Sequence, residues 1–215
     1  MRAVRGLALV LVTSVVLAGC FTGPRAHFAE PAGSVDDPAI AAVIAKLETL
    51  PTGAFTATYE ILTKFGDVTT QASVSSNGLS ESSVTIGSVR FIFQASGAQT
   101  CQLSTGTCTP TTDDALVSDK SLTHEFYAVS PAARMRQDAL VATAVAIAST
   151  ATYGAQTATC VQIDFTGGNL KKYCALDNGL LAFQDTPDLR ITLLSIAPSA
   201  DPSLFTTTSS IVAGG

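Results

Sequence analysis

With 12 basic against 17 acidic side chains in 215 residues, the chain is acidic and its few cations are scattered, so nucleic acid is excluded as a partner because phosphate binding needs clustered Lys and Arg. Only 13% of residues are charged while 47% are apolar, and Ser, Thr and Ala fill much of the rest. That balance fits an exported β-rich protein with a large apolar interior.

At the N-terminus, Arg2 and Arg5 precede an apolar run from Leu7 to Leu17 broken only by Thr13 and Ser14. The run is too short to span a bilayer as a helix and has the plan of a secretory signal. Its ending, Leu17, Ala18, Gly19 and Cys20, matches the lipobox of bacterial lipoproteins, where small residues admit the peptide to the signal peptidase and the thiol receives a diacylglyceryl group. The expectation is a signal peptide over residues 1–19, lipidation of Cys20, and a protein held by its acyl chains on the extracytoplasmic side of the cell membrane. Without its leader the chain has 10 basic and 17 acidic residues, a net charge of about −7. Gly23, Pro24, Pro31 and Gly33, with no apolar period around them, mark residues 20–35 as a flexible tether. One domain over residues 36–206 and a polar tail over 207–215 account for the rest.

The domain opens with Asp36 or Asp37 as a cap, Pro38 as the first helical residue, and Ile40, Val43, Ile44 and Leu47 at the spacing of one buried helical stripe. After Gly53 the period changes to two. Phe55, Ala57, Tyr59 and Ile61 alternate with their neighbours, as do Val68, Thr70, Ala72 and Val74, with a turn near Phe65 and Gly66 between them. Asn77 and Gly78 turn the chain into strands over 82–86 and 88–94, where Val89, Phe91 and Phe93 share a face. The stretch from Gln99 to Thr112 is expected to form a hairpin or loop at the edge of this antiparallel meander. Ser130 as N-cap and Pro131 as first residue then predict a second helix running through Thr150, with no charge from Ala139 to Ala148. Such a segment must be covered on nearly every side, by protein or by an apolar ligand. Strands resume over 158–165, 170–176, 180–184 and 189–196, with Asp177, Asn178 and Gly179 a strong hairpin signal. Asp201 to Phe205 reads as a last helical turn.

Setting Cys20 aside, Cys101, Cys108, Cys160 and Cys174 are an even set in an exported chain and read as two disulfides. Three pairings are possible, and the short separations favour Cys101 with Cys108 and Cys160 with Cys174. Their spacing matches no common zinc pattern, so no metal is expected, and no cofactor motif is present. His124 lies near Asp119, Ser121 and Glu125, yet no nucleophile elbow surrounds any serine, and a non-enzymatic protein is expected.

The helix leading into Phe55-Thr56-Ala57-Thr58-Tyr59, the meander, the apolar insertion, the hairpin around Asp177-Asn178-Gly179 and the terminal Asp201-Pro202-Ser203-Leu204-Phe205 together resemble the LolA-like lipoprotein carriers, including the LppX/LprG branch. The resemblance implies an α+β fold, a curved antiparallel sheet forming an unclosed β-barrel, with helices covering the concave face and an apolar cavity between them. On that reading Val89, Phe91, Phe93, Leu140, Val141, Val145, Ile163, Phe165 and Leu193 line a site for acyl chains or another apolar ligand, exchanged with an envelope transport protein. The alternative is a lipoprotein with a packed core that binds another envelope protein in a structural or regulatory role.

Overall fold

The computed structural model describes residues 35–49, 51–78 and 80–207. The leader, the lipobox with Cys20, the tether as far as residue 34, and tail residues 208–215 lie outside the described residues. Helix α1 (Pro38–Leu47) is followed by β1 (Ala54–Thr63), β2 (Val68–Asn77), β3 (Ser82–Ile86), β4 (Val89–Gln94), β5 (Gly97–Gln102) and β6 (Thr107–Thr109). A 3-10 turn (Asp114–Lys120) and helix α2 (Val129–Ala139) lead to β7 (Ile147–Tyr153), β8 (Gln156–Asp164), β9 (Leu170–Ala175), β10 (Leu181–Asp185) and β11 (Leu189–Ala197). A second 3-10 turn (Pro202–Phe205) follows.

The eleven strands form one sheet in the order β6-β5-β4-β3-β2-β1-β11-β10-β9-β8-β7, and each neighbouring pair is antiparallel. The first and last long strands, β1 and β11, pair at its centre, while β6 and β7 remain as unjoined margins. The architecture is therefore an unclosed antiparallel sheet with helices on one face, the LolA-like plan that the sequence resemblance implies. Both helices lie over the same face. Lys46 of α1 donates to Thr159 of β8 (2.8 Å), while Tyr173 of β9 donates to Asp138 of α2 (2.8 Å). The register opposing Val161 to Tyr173 puts Thr159 and Tyr173 on one side of the sheet, because strand side chains alternate.

Burial explains why α1 sits there. Ile40, Val43, Ile44 and Leu47 are all buried, and withdrawing four aliphatic side chains from water contributes about 6–12 kcal/mol before the cost of ordering them. They meet Ala57, Tyr59 and Ile61 of β1, Val161 and Ile163 of β8, and Met135 of α2 in a single core. Opposite charges fix the ends of the helix pair, Lys46 against Asp177 and Arg136 of α2 against Glu48.

Two expectations need correction. The second helix does not run to Thr150: it ends at Ala139, residues 140–146 are irregular, and 147–153 form strand β7 paired with β8 from Ile147↔Gln162 to Tyr153↔Gln156. Val145, Ile147, Thr150 and Thr152 are β-branched, stiff at χ1 and suited to a pleated surface, and the ladder to β8 overrides the lack of polar punctuation. Ser130 is not the cap either. The helix starts at Val129, two residues before Pro131, Ala128 occupies the cap position without a side-chain bond, and the Ser130 hydroxyl is shared with that of Thr123 at 2.6 Å.

The disulfides are Cys101–Cys108 and Cys160–Cys174, each joining directly opposed residues of neighbouring strands. Cys174 follows Tyr173, which faces α2, so this bridge lies on the side of the sheet away from the helices. The turn joining β9 to β10 is set by one position. Gly179 has φ +88°, and a Cβ there would fall 1.7 Å from the Thr49 carbonyl oxygen, just past α1. Gly179→Ala is expected to lower unfolding free energy by about 3 kcal/mol or more in urea titration, since both the conformation and the space forbid the methyl. A loss under about 0.5 kcal/mol would show that the turn does not clamp the helix as described.

A candidate apolar cleft beside the helix termini

The start of α1 is organised by a single carboxylate. Asp37 Oδ1 accepts from the backbone N–H groups of Ala39 (2.9 Å) and Ile40 (3.2 Å), with Pro38 at the first helical position, where no N–H is needed. Its other oxygen, Oδ2, accepts from the Ala146 N–H at 2.8 Å, tying the helix to the segment that leads into β7. Burial would raise the Asp37 pKa, but the bonds from Ala146, Ile40 and Ala39 outweigh it and hold the carboxyl below its ordinary value of 3.8. The far side of the junction is held by Asp138, buried at the end of α2, which receives Tyr173 and the Lys171 ammonium. Burial, together with the adjacent Asp138 carboxylate, pushes the Tyr173 phenol well above its usual pKa, so it stays a proton donor to that carboxylate.

Between these two anchors lies a cleft of about 670 Å³. Its walls come from the start of α1 (Val35 to Pro38 and Ile40), the end of α2 (Arg136, Ala139) and the segment Leu140 to Val145. The volume falls within the range of about 300–1,000 Å³ common for small-ligand sites. Its rim is aliphatic and open to solvent at Leu140, which is 71% exposed, and Val145, 82% exposed, and Val141, next to Leu140 in sequence, is 62% exposed. The Thr143 N–H and hydroxyl both donate to the Asp164 carbonyl (3.0 and 3.1 Å), fixing the middle of this segment to the end of β8.

The nine residues expected to line a lipid site are divided by the structure. Val89, Phe91, Ile163 and Leu193 are buried in the common core, with Phe93 and Phe165 half-buried against it. Leu140 and Val145 line the cleft, and Val141, which follows Leu140 in sequence, is exposed. The interior of the sheet is filled by α1, by Met135 of α2 and by Phe126, whose ring meets Tyr59 edge-on at 5.2 Å. Sequence reasoning did not single out Asp37 as a link across the cleft, nor Phe126 and Leu122 as interior residues, although both are large apolar side chains in a stretch without clear period.

His124 is held rather than free. Its Nδ1 is 3.0 Å from each Asp114 carboxylate oxygen, its backbone N–H donates to Asp114 Oδ1 at 2.7 Å, and its ring lies 5.1 Å from Phe93 and 5.7 Å from Phe91. Asp114, ten residues earlier, is thus its main partner, not Asp119 or Ser121, while Glu125 Oε1 is 4.0 Å from Nε2. Among the described residues no serine hydroxyl hydrogen-bonds its ring.

No protein-family model and no curated protein matches the chain. Among solved structures it is similar to MucB in complex with MucA(peri), at 12% identity and a TM-score of 0.43, over 80% of this chain and 61% of that one. It is also similar to the chain in the Pseudomonas aeruginosa MucA/MucB complex, at 9% identity and a TM-score of 0.36, over 77% of this chain and 61% of that one. A LolA superfamily protein from Nitrosomonas europaea matches at 9% identity and a TM-score of 0.36, over 77% of this chain and 96% of that one. The chain spans about three-fifths of the length of the MucB-complex chains it matches.

Asp37→Asn separates the two jobs of that carboxylate, because an amide oxygen can still cap the helix while the amide nitrogen cannot accept from Ala146. The expected result is a loss of about 1 kcal/mol in stability and faster hydrogen exchange at the Ala146 amide. Unchanged exchange there would remove the proposed link. With its pKa lowered in the folded state, the Asp37 contribution is complete above the ordinary value of 3.8 and is lost as pH falls through the lowered one, so Ala146 protection should drop only in that acid range.

Proposed function

We propose that this protein is a lipoprotein, anchored through Cys20 on the extracytoplasmic side of the membrane, that binds lipids or other hydrophobic ligands at the cell envelope without catalysing a reaction. The observation that carries the reading is the cleft: a concave, mostly aliphatic space of ligand size whose lining segment is left uncovered although it contains no charge from Ala139 to Ala148. Uncovered aliphatic side chains in water are costly, and an acyl chain withdrawn into the cleft would recover about 0.8 kcal/mol per methylene. The polar groups at its edge, Asp36, Arg136 and Thr143, would meet the head of such a ligand while the tail takes the apolar wall. Exchange with an envelope transport protein fits a carrier of this kind.

A second reading has its own support. The interior of the sheet is filled by Phe126, Met135 and α1, which favours a packed domain that recognises another envelope protein.

Mass spectrometry of solvent extracts from the Cys20→Ala protein, purified from a native-like host, should show lipid near one equivalent, and Ala144→Trp, which fills the cleft from an exposed position, should reduce it severalfold with little change in thermal stability. No extractable lipid and no uptake of a fluorescent fatty acid would leave the packed-domain reading in its place. The anchor is tested separately: wild type should enter the detergent-rich phase on phase partitioning, whereas Cys20→Ala should move to the aqueous phase.

A further inference from the structure

The exposed rim of the cleft has a position as well as a composition. Leu140, Val141 and Val145 are exposed within one stretch of six residues, apart from the exposed pair Phe65 and Val68 at the β1–β2 turn. The first described residue, Val35, lies in the wall of the same cleft. Whatever covers the rim must therefore sit where the chain departs towards Cys20. The fifteen residues from Cys20 to residue 34 can span at most about 50 Å when fully extended, so a lipid on Cys20 confines this corner of the domain to within that distance of the bilayer.

We infer that the exposed rim at Leu140, Val141 and Val145 is a membrane-docking face that inserts into the outer leaflet of a phospholipid bilayer, with the mouth of the cleft turned to the lipid. The inference rests on the anchored, ligand-binding reading above and adds to it the surface through which the ligand is taken up. A bilayer is favoured over a protein partner because the exposed side chains of the rim, Leu140, Val141 and Val145, are all aliphatic, with no aromatic anchor of the kind that dominates protein interfaces, and the Arg at the cleft, Arg136, is committed to Glu48. Charge does not assist. The chain without its leader is acidic, Asp36 and Asp37 flank the cleft, and Arg136 there is already paired with Glu48. Docking must come from apolar insertion, and it should be nearly insensitive to salt and to anionic lipid.

All the described helices and strands and the whole core lie between Val35 and residue 207, so a chain starting at Phe21 retains the complete fold without the lipid. That chain should co-sediment with phosphatidylcholine vesicles, and equally with vesicles of equal parts phosphatidylcholine and phosphatidylglycerol. Leu140→Ser combined with Val145→Ser, both at exposed positions, should weaken binding about tenfold or more while the thermal unfolding midpoint stays put. Phe65→Ser should leave binding unchanged. Wild type remaining in the supernatant, or Phe65→Ser weakening binding as much as the double variant, would overturn the inference. So would a wild-type dimer on size exclusion that the double variant abolishes, which would assign the face to a second copy of the chain. Vesicle binding that persists in a protein yielding no extractable lipid would refute the carrier reading and leave the docking face standing.

Discussion

A sheet of eleven antiparallel strands that never closes has one face it cannot cover with its own strands. Everything placed on that face must be helical or irregular, must bring apolar side chains, and must be anchored at its ends because no ladder of hydrogen bonds holds it. Helix α1 meets each requirement. Its stripe fills the interior, Asp37 fastens one end to Ala146, and at the other end Lys46 meets Asp177 while Gly179 admits the Thr49 carbonyl. The site follows from the same constraint, because the cleft is the gap left where α1 begins, α2 ends and the chain crosses to the margin strand β7.

Most of the sheet could be read from residue order. Period-two alternation places β1 within one residue at each end, β8 within two, and the start of β2 at Val68, and the turns at Asn77-Gly78 and Asp177-Asn178-Gly179 fall where left-handed glycines are needed. The cysteine separations point to the pairings observed, since each bridge closes a hairpin between adjacent strands. The helical stripe of α1 is equally plain, because its four large apolar residues, Ile40, Val43, Ile44 and Leu47, share one face and are all buried.

The segment from Leu140 to Thr150 departs from the expected helix for an intelligible reason. Its alanines favour a helix, its valines, isoleucine and threonines favour a strand, and nothing local decides between them. The decision is made by β8, which offers a free edge only after the chain has travelled further. Inferring burial from the lack of charge then failed in turn: composition says that a segment is costly to expose but not whether it is exposed. The link from Asp37 to Ala146 joins residues 109 apart and could not be seen from either end. The nine expected lining residues fall into a core group and a rim group because strand positions and loop positions of equal hydrophobicity are not equivalent in space.

The two disulfides stand in the outer portions of the sheet, one between β5 and its margin strand β6, the other between β8 and β9, one strand in from the opposite margin. None crosses the centre, where β1 meets β11, and none ties a helix to the sheet. The covalent reinforcement thus resists peeling from the sides and leaves the cover held only by burial, hydrogen bonds and charge. A domain fastened in this way keeps its outer strand register by covalent bonds, whereas the seat of the helices and of the rim segment depends on noncovalent contacts alone.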